Sequence, residues 1–289
     1  MREPLPVVMR SHHDDGWTVL SDPHSKIFQR QRCGLIRITM PNSATFPDRN
    51  PTSADVPTLR FAAQRVAEAL RTGSCPTDRA FDRFLPDELR VVSGQYWTPL
   101  AVATRAAEWL DDLRIRTVVD IGSGAGKFCV AAALAGHCRF TGLEQRPSLV
   151  ASARALARVF DLHDRVSFVE GALGVVATPR ADAYYLYNPF GQYCFGSSHD
   201  VDTGVEFSDA RYAHDVAAVE QLLRRAPTGT YVLTYNGFGG QVPASYKQIR
   251  VDRKLPNALL LWRKERGTPR FPDSVRRPTS NRTRSRSAD

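Results

Sequence analysis

The chain has 289 residues, 42% of them hydrophobic, and a formal net charge of +9, enough for one large globular domain with extra segments. No stretch approaches the ~20 continuous apolar residues of a membrane span, and Met1-Arg2-Glu3-Pro4 leads into no signal-peptide core, so no membrane role is expected. The five cysteines (Cys33, Cys75, Cys129, Cys138, Cys194) are odd in number and form no Cys-x-x-Cys pair, which reads as reduced thiols in a cytoplasmic protein.

Residues 1–57 have many Pro, Ser, Asp and Arg and little periodicity, and they read as an irregular or partly disordered extension holding one short strand, Gly34 to Met40. From Leu59 to Leu70 the apolar positions Leu59, Ala62, Ala63, Val66, Ala69 and Leu70 recur at helical spacing. A second short helix follows Thr77-Asp78 and holds Ala80, Phe81 and Phe84, so 58–92 is expected to be a small helical cap. In Tyr96-Trp97-Thr98-Pro99, Thr98 is suited to an N-cap and Pro99 to the first helical position. The helix behind them sets Leu100, Ala103, Ala106, Ala107 and Leu110 along one face.

Val118-Val119-Asp120-Ile121 is apolar and rich in β-branched residues, the pattern of a strand buried on both faces. Phe128 to Ala135 reads as a helix, and between the two stand Gly122, Gly124 and Gly126. Residues without Cβ let a strand turn sharply into a helix and let a ligand approach the backbone, where amides at the helix start can donate to it. A dinucleotide fingerprint needs its third glycine at position 127, which is Lys127. A P-loop needs Ser or Thr after Gly-Lys, and Phe128 stands there.

The stretch resembles the first motif of the class I S-adenosylmethionine-dependent methyltransferases: an acid at the strand end, Asp120, followed by Gly-x-Gly-x-Gly. The resemblance implies a Rossmann-like α/β fold, doubly wound, with a mostly parallel seven-stranded sheet and helices on both faces, here over residues 93–265. It implies S-adenosyl-L-methionine as cofactor and S-adenosyl-L-homocysteine as product. An acid closing the second strand would accept hydrogen bonds from the ribose hydroxyls. Arg139 to Leu143 reads as that strand and meets Glu144, eighteen residues after Gly126, close to the roughly 20 of Rossmann-like units. By the same resemblance Tyr96, Thr98, Asp120, Gly122, Gly124, Gly126, Glu144 and Gln145 would contact cofactor. Tyr96 and Trp97 would then face the sulfonium, whose charge an aromatic face attracts; the alternative is a hydrophobic staple at the helix start.

The alternation continues after Gly136, a glycine suited to ending a helix. A helix starts at Pro147 and runs to about Phe160, and a strand Val166 to Val169 ends in Glu170-Gly171-Ala172. The resemblance makes Glu170 and Ala172 neighbours of the adenine. The fourth strand, Ala183 to Tyr187, leads into Asn188-Pro189-Phe190. Central strands of an open parallel sheet present their C-terminal ends to the ligand crevice, so this segment is the candidate for chemistry. A helix over Arg211 to Arg225 and a strand over Gly229 to Tyr235 follow. Tyr246 to Val251 and Ala258 to Trp262 resemble the antiparallel pair that closes the family's sheet. Three glycines and a proline over 236–245 leave no room for a long helix there.

Methyl transfer from a sulfonium is an in-line displacement, so the acceptor's lone pair has to be held against the methyl. The Asn188 side-chain carbonyl and the Pro189 backbone carbonyl would accept from a substrate N–H, Asn188 would also border the cofactor, and Phe190 would stack on a planar substrate or line a channel. The segment resembles the (Asp/Asn)-Pro-Pro-(Tyr/Phe) motif of amino-methylating enzymes but lacks one proline. The histidines (His12, His13, His24, His137, His163, His199, His214) show no metal-ligand spacing beyond one adjacent pair, and no metal is expected. His199 and Asp200 lie in the polar loop after the fourth strand, within reach of substrate or simply solvated.

The tail over 266–289 carries seven arginines against two aspartates and reads as a basic disordered end, either solvated or suited to nucleic-acid phosphates. Three readings stay open at this level. The first is transfer of a methyl to a nitrogen on a protein side chain or an RNA. The second is O-methylation of a small metabolite. The third is a catalytically silent fold module that binds cofactor or RNA and scaffolds a partner.

Overall fold

The computed structural model describes residues 55–190 and 208–266. The strand expected at 34–40, the loop residues His199 and Asp200 and the basic tail beyond 266 lie outside the described residues. A cap of four helices comes first: α1 (Asp55–Arg71), α2 (Asp78–Asp82), α3 (Asp87–Val91) and α4 (Ser93–Tyr96). The order then runs α5 (Leu100–Asp112), β1 (Thr117–Ile121), α6 (Lys127–Ala135), β2 (Arg139–Glu144), α7 (Pro147–Val159), β3 (Val166–Glu170) and β4 (Ala183–Tyr187). Last come α8 (Asp209–Arg225), β5 (Tyr231–Tyr235), β6 (Tyr246–Asp252) and β7 (Leu259–Lys264). Residues 236–245 form no helix, as their glycines and proline require.

The strands make one seven-stranded sheet in the order β3-β2-β1-β4-β5-β7-β6. Its first five strands are parallel, and β7 runs antiparallel to both β5 and β6. Strand order reverses between β1 and β4, and in an open α/β sheet the crevice outside the carboxyl ends at such a switch takes the ligand. The β1–β4 register is fixed at its base by Asp182, whose Oδ2 accepts from the Arg116 and Thr117 amides at 3.1 and 2.9 Å.

Two cores sandwich the sheet. On one face α6 lies between sheet, cap and α5, buried from Lys127 to Leu134, which is why its sequence is apolar on every side. The cap residues Phe81, Leu85, Leu89 and Val92 belong to this same core. On the other face Val219 and Leu223 of α8 pack with Val119, Ile121, Leu186 and Val232. Helix ends are closed by long cations. Arg165 donates to the carbonyls of Ala133 in the last turn of α6 and Gly136 just after it, both at 2.6 Å, and Lys264 to those of Leu223 and Arg224 in the last turn of α8 and Ala226 just after it.

One local expectation fails. Thr98 is not the N-cap of α5: Pro99 holds that position in extended backbone and no side chain of its own caps the helix. The Thr98 hydroxyl instead meets the Tyr185 hydroxyl on β4 at 3.0 Å, and the Leu100 amide donates at 3.0 Å to Asp78 Oδ1 from the cap. A tertiary acceptor replaced the local one.

Candidate active site

The turn after β1 bends through Gly122 (φ 73°) and Gly124 (φ 55°), both in the left-handed region that favours glycine. Each is also approached closely. A Cβ on Gly122 would lie 2.7 Å from Cβ of Pro189, and one on Gly124 would lie 2.4 Å from the Trp97 ring. The turn is therefore clasped on one side by the exit of β4 and on the other by the segment before α5. Trp97 is fixed by its indole N–H, which donates to the Leu89 carbonyl at 3.0 Å. Tyr96 is half-buried beside it, with ring centroids 6.1 Å apart. Beneath the turn Tyr185 stacks on Phe128 with 9° between the rings.

Two carboxylates stand at the strand ends. Glu144, 2% exposed, accepts from the Gly124 amide at 2.9 Å and from the Arg146 amide and Nε at 3.0 and 2.9 Å. Burial opposes its ionisation, but the Arg146 guanidinium and these donors outweigh it and hold the carboxyl below its ordinary value. Asp120 is buried nearly as deeply, with no ion pair to a cation among the described residues. Burial pushes it up to about 7, against the Cys129 thiol that donates to it at 3.4 Å, and the Glu144 charge adds to the rise. A buried carboxylate of this kind is ready to take an ammonium partner.

No local pattern signals the contacts around Lys127, which takes the place of the missing fingerprint glycine. Its ammonium, 2% exposed, lies 2.6 Å from Asp78 Oδ1 and 3.1 Å from the Ser93 hydroxyl. Asp82 Oδ1 lies 2.7 Å away, an ion-pair distance without hydrogen-bond alignment. The first residue of α6 thus fastens α2 and α4, and with α4 the aromatic pair, onto the glycine turn. Arg146, two residues past Glu144, is a second omission whose local spacing carried a signal.

After β4, Asn188 sits at φ 41°, exposed, with its amide donating to the Gly237 carbonyl at 2.8 Å. Pro189 is buried against Gly122, which brings the Asn-Pro segment to the crevice. Phe190 is 6% exposed and meets Tyr212 of α8 edge-on, so its ring is a wall and not a free stacking face. Glu144, Gln145, Ala172, Pro189 and Phe190 line one cleft together with Asp215 of α8. Glu170 is exposed and is not among the residues lining it.

The fold is Rossmann-like, as the glycine turn implied. No family model matches the chain, and no curated protein does. Among solved structures, the chain is similar to an RNA methyltransferase from Salinibacter ruber in complex with S-adenosyl-L-homocysteine. The two are 22% identical over 61% of this chain and 99% of that one, with a TM-score of 0.43. The mitomycin 7-O-methyltransferase MmcR is 18% identical over 70% of this chain and 67% of that one, at 0.43. Cofactor-bound Rv0187 from MTB is 16% identical over 72% and 91%, also at 0.43. No described helix is long and apolar enough to cross a membrane.

Proposed function

We propose that the chain is an S-adenosylmethionine-dependent methyltransferase acting on a nitrogen of a protein side chain or an RNA. The observation that carries the reading is Glu144: a buried carboxylate bound to the Gly124 amide, at the end of β2 and beside the strand switch. Such a carboxylate accepts from the two ribose hydroxyls, while Asp120 suits the amino group of the methionine part and Tyr96 the sulfonium. The cofactor when bound supplies an electrophilic methyl. This chain's residues hold the acceptor: the Asn188 side-chain carbonyl and the Pro189 backbone carbonyl accept from a substrate N–H and leave its lone pair directed at the methyl. In this reading 58–92 acts as a cap on the transfer domain over 93–265.

Calorimetry with S-adenosylmethionine and S-adenosylhomocysteine, NAD(H) as control and Glu144→Ala beside wild type, tests the reading. Tight binding lost in the variant supports it and leads to labelled-methyl assays on protein, RNA and metabolite pools. A folded wild type that binds neither sinks it. Binding without transfer to any pool leaves a silent module. An RNA acceptor further requires salt-sensitive binding that weakens when 266–289 are removed, whereas a metabolite enzyme is indifferent to that deletion.

A further inference from the structure

At the amino ends of the strands, away from the crevice, one face of the sheet is bare. The connection from β3 to β4, 171–182, forms no helix, and α8 packs on β1, β4 and β5, so no described helix covers the first half of the β2–β3 face. Parallel strands are normally covered on both faces and read as continuous apolar runs. Here β2 and β3 alternate instead. Phe140, Val166 and Phe168 are buried in the cap-side core, while on the other face Arg139 and Ser167 are exposed and Thr141 is half-buried. A cavity of about 210 Å³ lies over this face, closed on one side by Pro179, Arg180 and Ala181. Arg139, Arg165 and Arg180 line it against one carboxylate, Asp164. His163 stands between Asp161 and Asp164, at 3.2 and 3.5 Å. Arg165 uses Nη2 on three backbone carbonyls, but Arg139 and Arg180 are exposed and make no ion pair or side-chain hydrogen bond among the described residues. Thr141 Oγ1 and Ser167 Oγ lie 3.2 Å apart; one hydroxyl hydrogen serves that contact, and the other is left to donate to a ligand.

Three guanidiniums around one cavity repel one another, and an anion among them turns that repulsion into attraction. Two uncommitted arginines and a hydroxyl donor are the groups that hold phosphate oxygens. Position argues for a chain of phosphates over a single one. The cavity opens at the amino ends of β1, β2 and β3 and the crevice lies at their carboxyl ends, one five-residue strand or ~17 Å away. A lone anion in the cavity touches nothing else of use, whereas a strand lying along the edge strand β3 reaches both ends. β7 also ends beside the first residue of β5, so the arginine-rich stretch from Arg266 onward departs from the same rim of the sheet as the cavity. We propose that Arg139, Arg180 and the Thr141–Ser167 hydroxyl pair bind the phosphate backbone of a nucleic-acid strand. The site stands apart from the cofactor reading above; taken with it, it favours RNA as the carrier of the acceptor nitrogen. Backbone contacts carry no sequence information, so the site positions a strand and does not select it.

The experiment is fluorescence anisotropy of the full chain with a short labelled single-stranded RNA of mixed sequence, over a series of salt concentrations. Wild type is compared with Arg139→Gln/Arg180→Gln and with Arg79→Gln/Arg83→Gln, which removes the same charge from exposed positions of the cap. Circular dichroism checks the folding of each. The sheet variant should bind about tenfold more weakly, and its salt slope should fall by about 1.4, the share of two phosphate contacts on a single strand. The cap variant should stay within about twofold of wild type. Equal losses in the two variants, no loss in the sheet variant, or wild type that leaves the RNA unbound at low salt overturns the site. Poly-glutamate or inorganic phosphate that displaces the RNA at equal charge concentration overturns the nucleic-acid assignment. S-adenosylhomocysteine affinity should be the same in wild type and sheet variant, so failure of this site leaves the cofactor reading intact, and failure of that reading leaves the RNA measurement to decide this one.

Discussion

The Lys127 ammonium and the Asp78 carboxylate are 49 positions apart in the chain and 2.6 Å apart in the fold. Asp82 and Ser93 complete the cluster, so one buried cation joins the cap to the helix that begins at the glycine turn. Removing one partner of a buried pair leaves an uncompensated charge. Lys127→Met should lower stability by about 3 kcal/mol, part of which returns in Lys127→Met/Asp82→Leu. Urea unfolding of the single and double variants measures both; equal loss in the two would mean the cost is packing and not charge.

Gly124 and Gly73 separate backbone strain from steric conflict. Both have positive φ, but a Cβ on Gly73 meets nothing within 4 Å while one on Gly124 meets the Trp97 ring at 2.4 Å. Gly73→Ala should cost about 1 kcal/mol, the strain alone. Gly124→Ala should cost about 3 kcal/mol, since overpacking adds to the strain, and should abolish nucleoside binding. Denaturation midpoints and ligand calorimetry on the pair check this.

Asp120 sets a pH dependence of stability. Its folded value of about 7 lies above the ordinary 3.8, so between those values the folded protein keeps a proton that the unfolded chain has lost. The stability it contributes is fully present below pH ~4 and lost as pH rises through ~7, up to about 4 kcal/mol in all. Glu144 acts in the opposite sense: its folded value is lowered, so its contribution is present above its ordinary range and lost as pH falls. Asp120→Asn should therefore flatten the decline between pH 4 and 7 in urea unfolding at stepped pH. An unchanged slope would place the shift elsewhere.

Phe190 and Asn188 are neighbours with different duties. Phe190→Ala removes a side chain that is 6% exposed in the α8-side core and should cost about 3 kcal/mol of stability. Asn188 is exposed, and at φ 41° its replacement by alanine should cost only about 1 kcal/mol. If Asn188 accepts from the substrate, Asn188→Ala should lose labelled-methyl transfer at nearly unchanged stability. Full transfer by Asn188→Ala would end its assignment.

Elements carried by local signals were legible in the sequence. Buried parallel strands declared themselves as a β-branched run at β1 and a tyrosine-rich apolar run at β4, amphipathic spacing marked α1, α5 and α7, and the interval from Gly126 to Glu144 matched one strand–helix–strand unit. Glycines and the proline over 236–245 reported correctly that no helix forms there. Errors arose where a side chain had two options. Thr98 carried every local mark of an N-cap, but a hydroxyl buried beside Tyr185 must be satisfied there, and Asp78 reached the helix end instead.

By itself the sequence determined where the strands of the sheet and the longer helices run and that a glycine turn followed by an acid closes two of the strands, while the short helices α3 and α4 carried no such signal. Those properties follow from backbone sterics and from hydrophobic period, which act over a few residues. Only the tertiary structure decided that Lys127 is a buried tie to the cap, that Trp97 covers Gly124, that Phe190 is a wall, and that Asp215 stands beside Glu144 in the cleft. Each of those depends on side chains from distant segments being packed together out of water. In that setting each charge and hydroxyl must find a partner, and the partner is chosen by proximity in space.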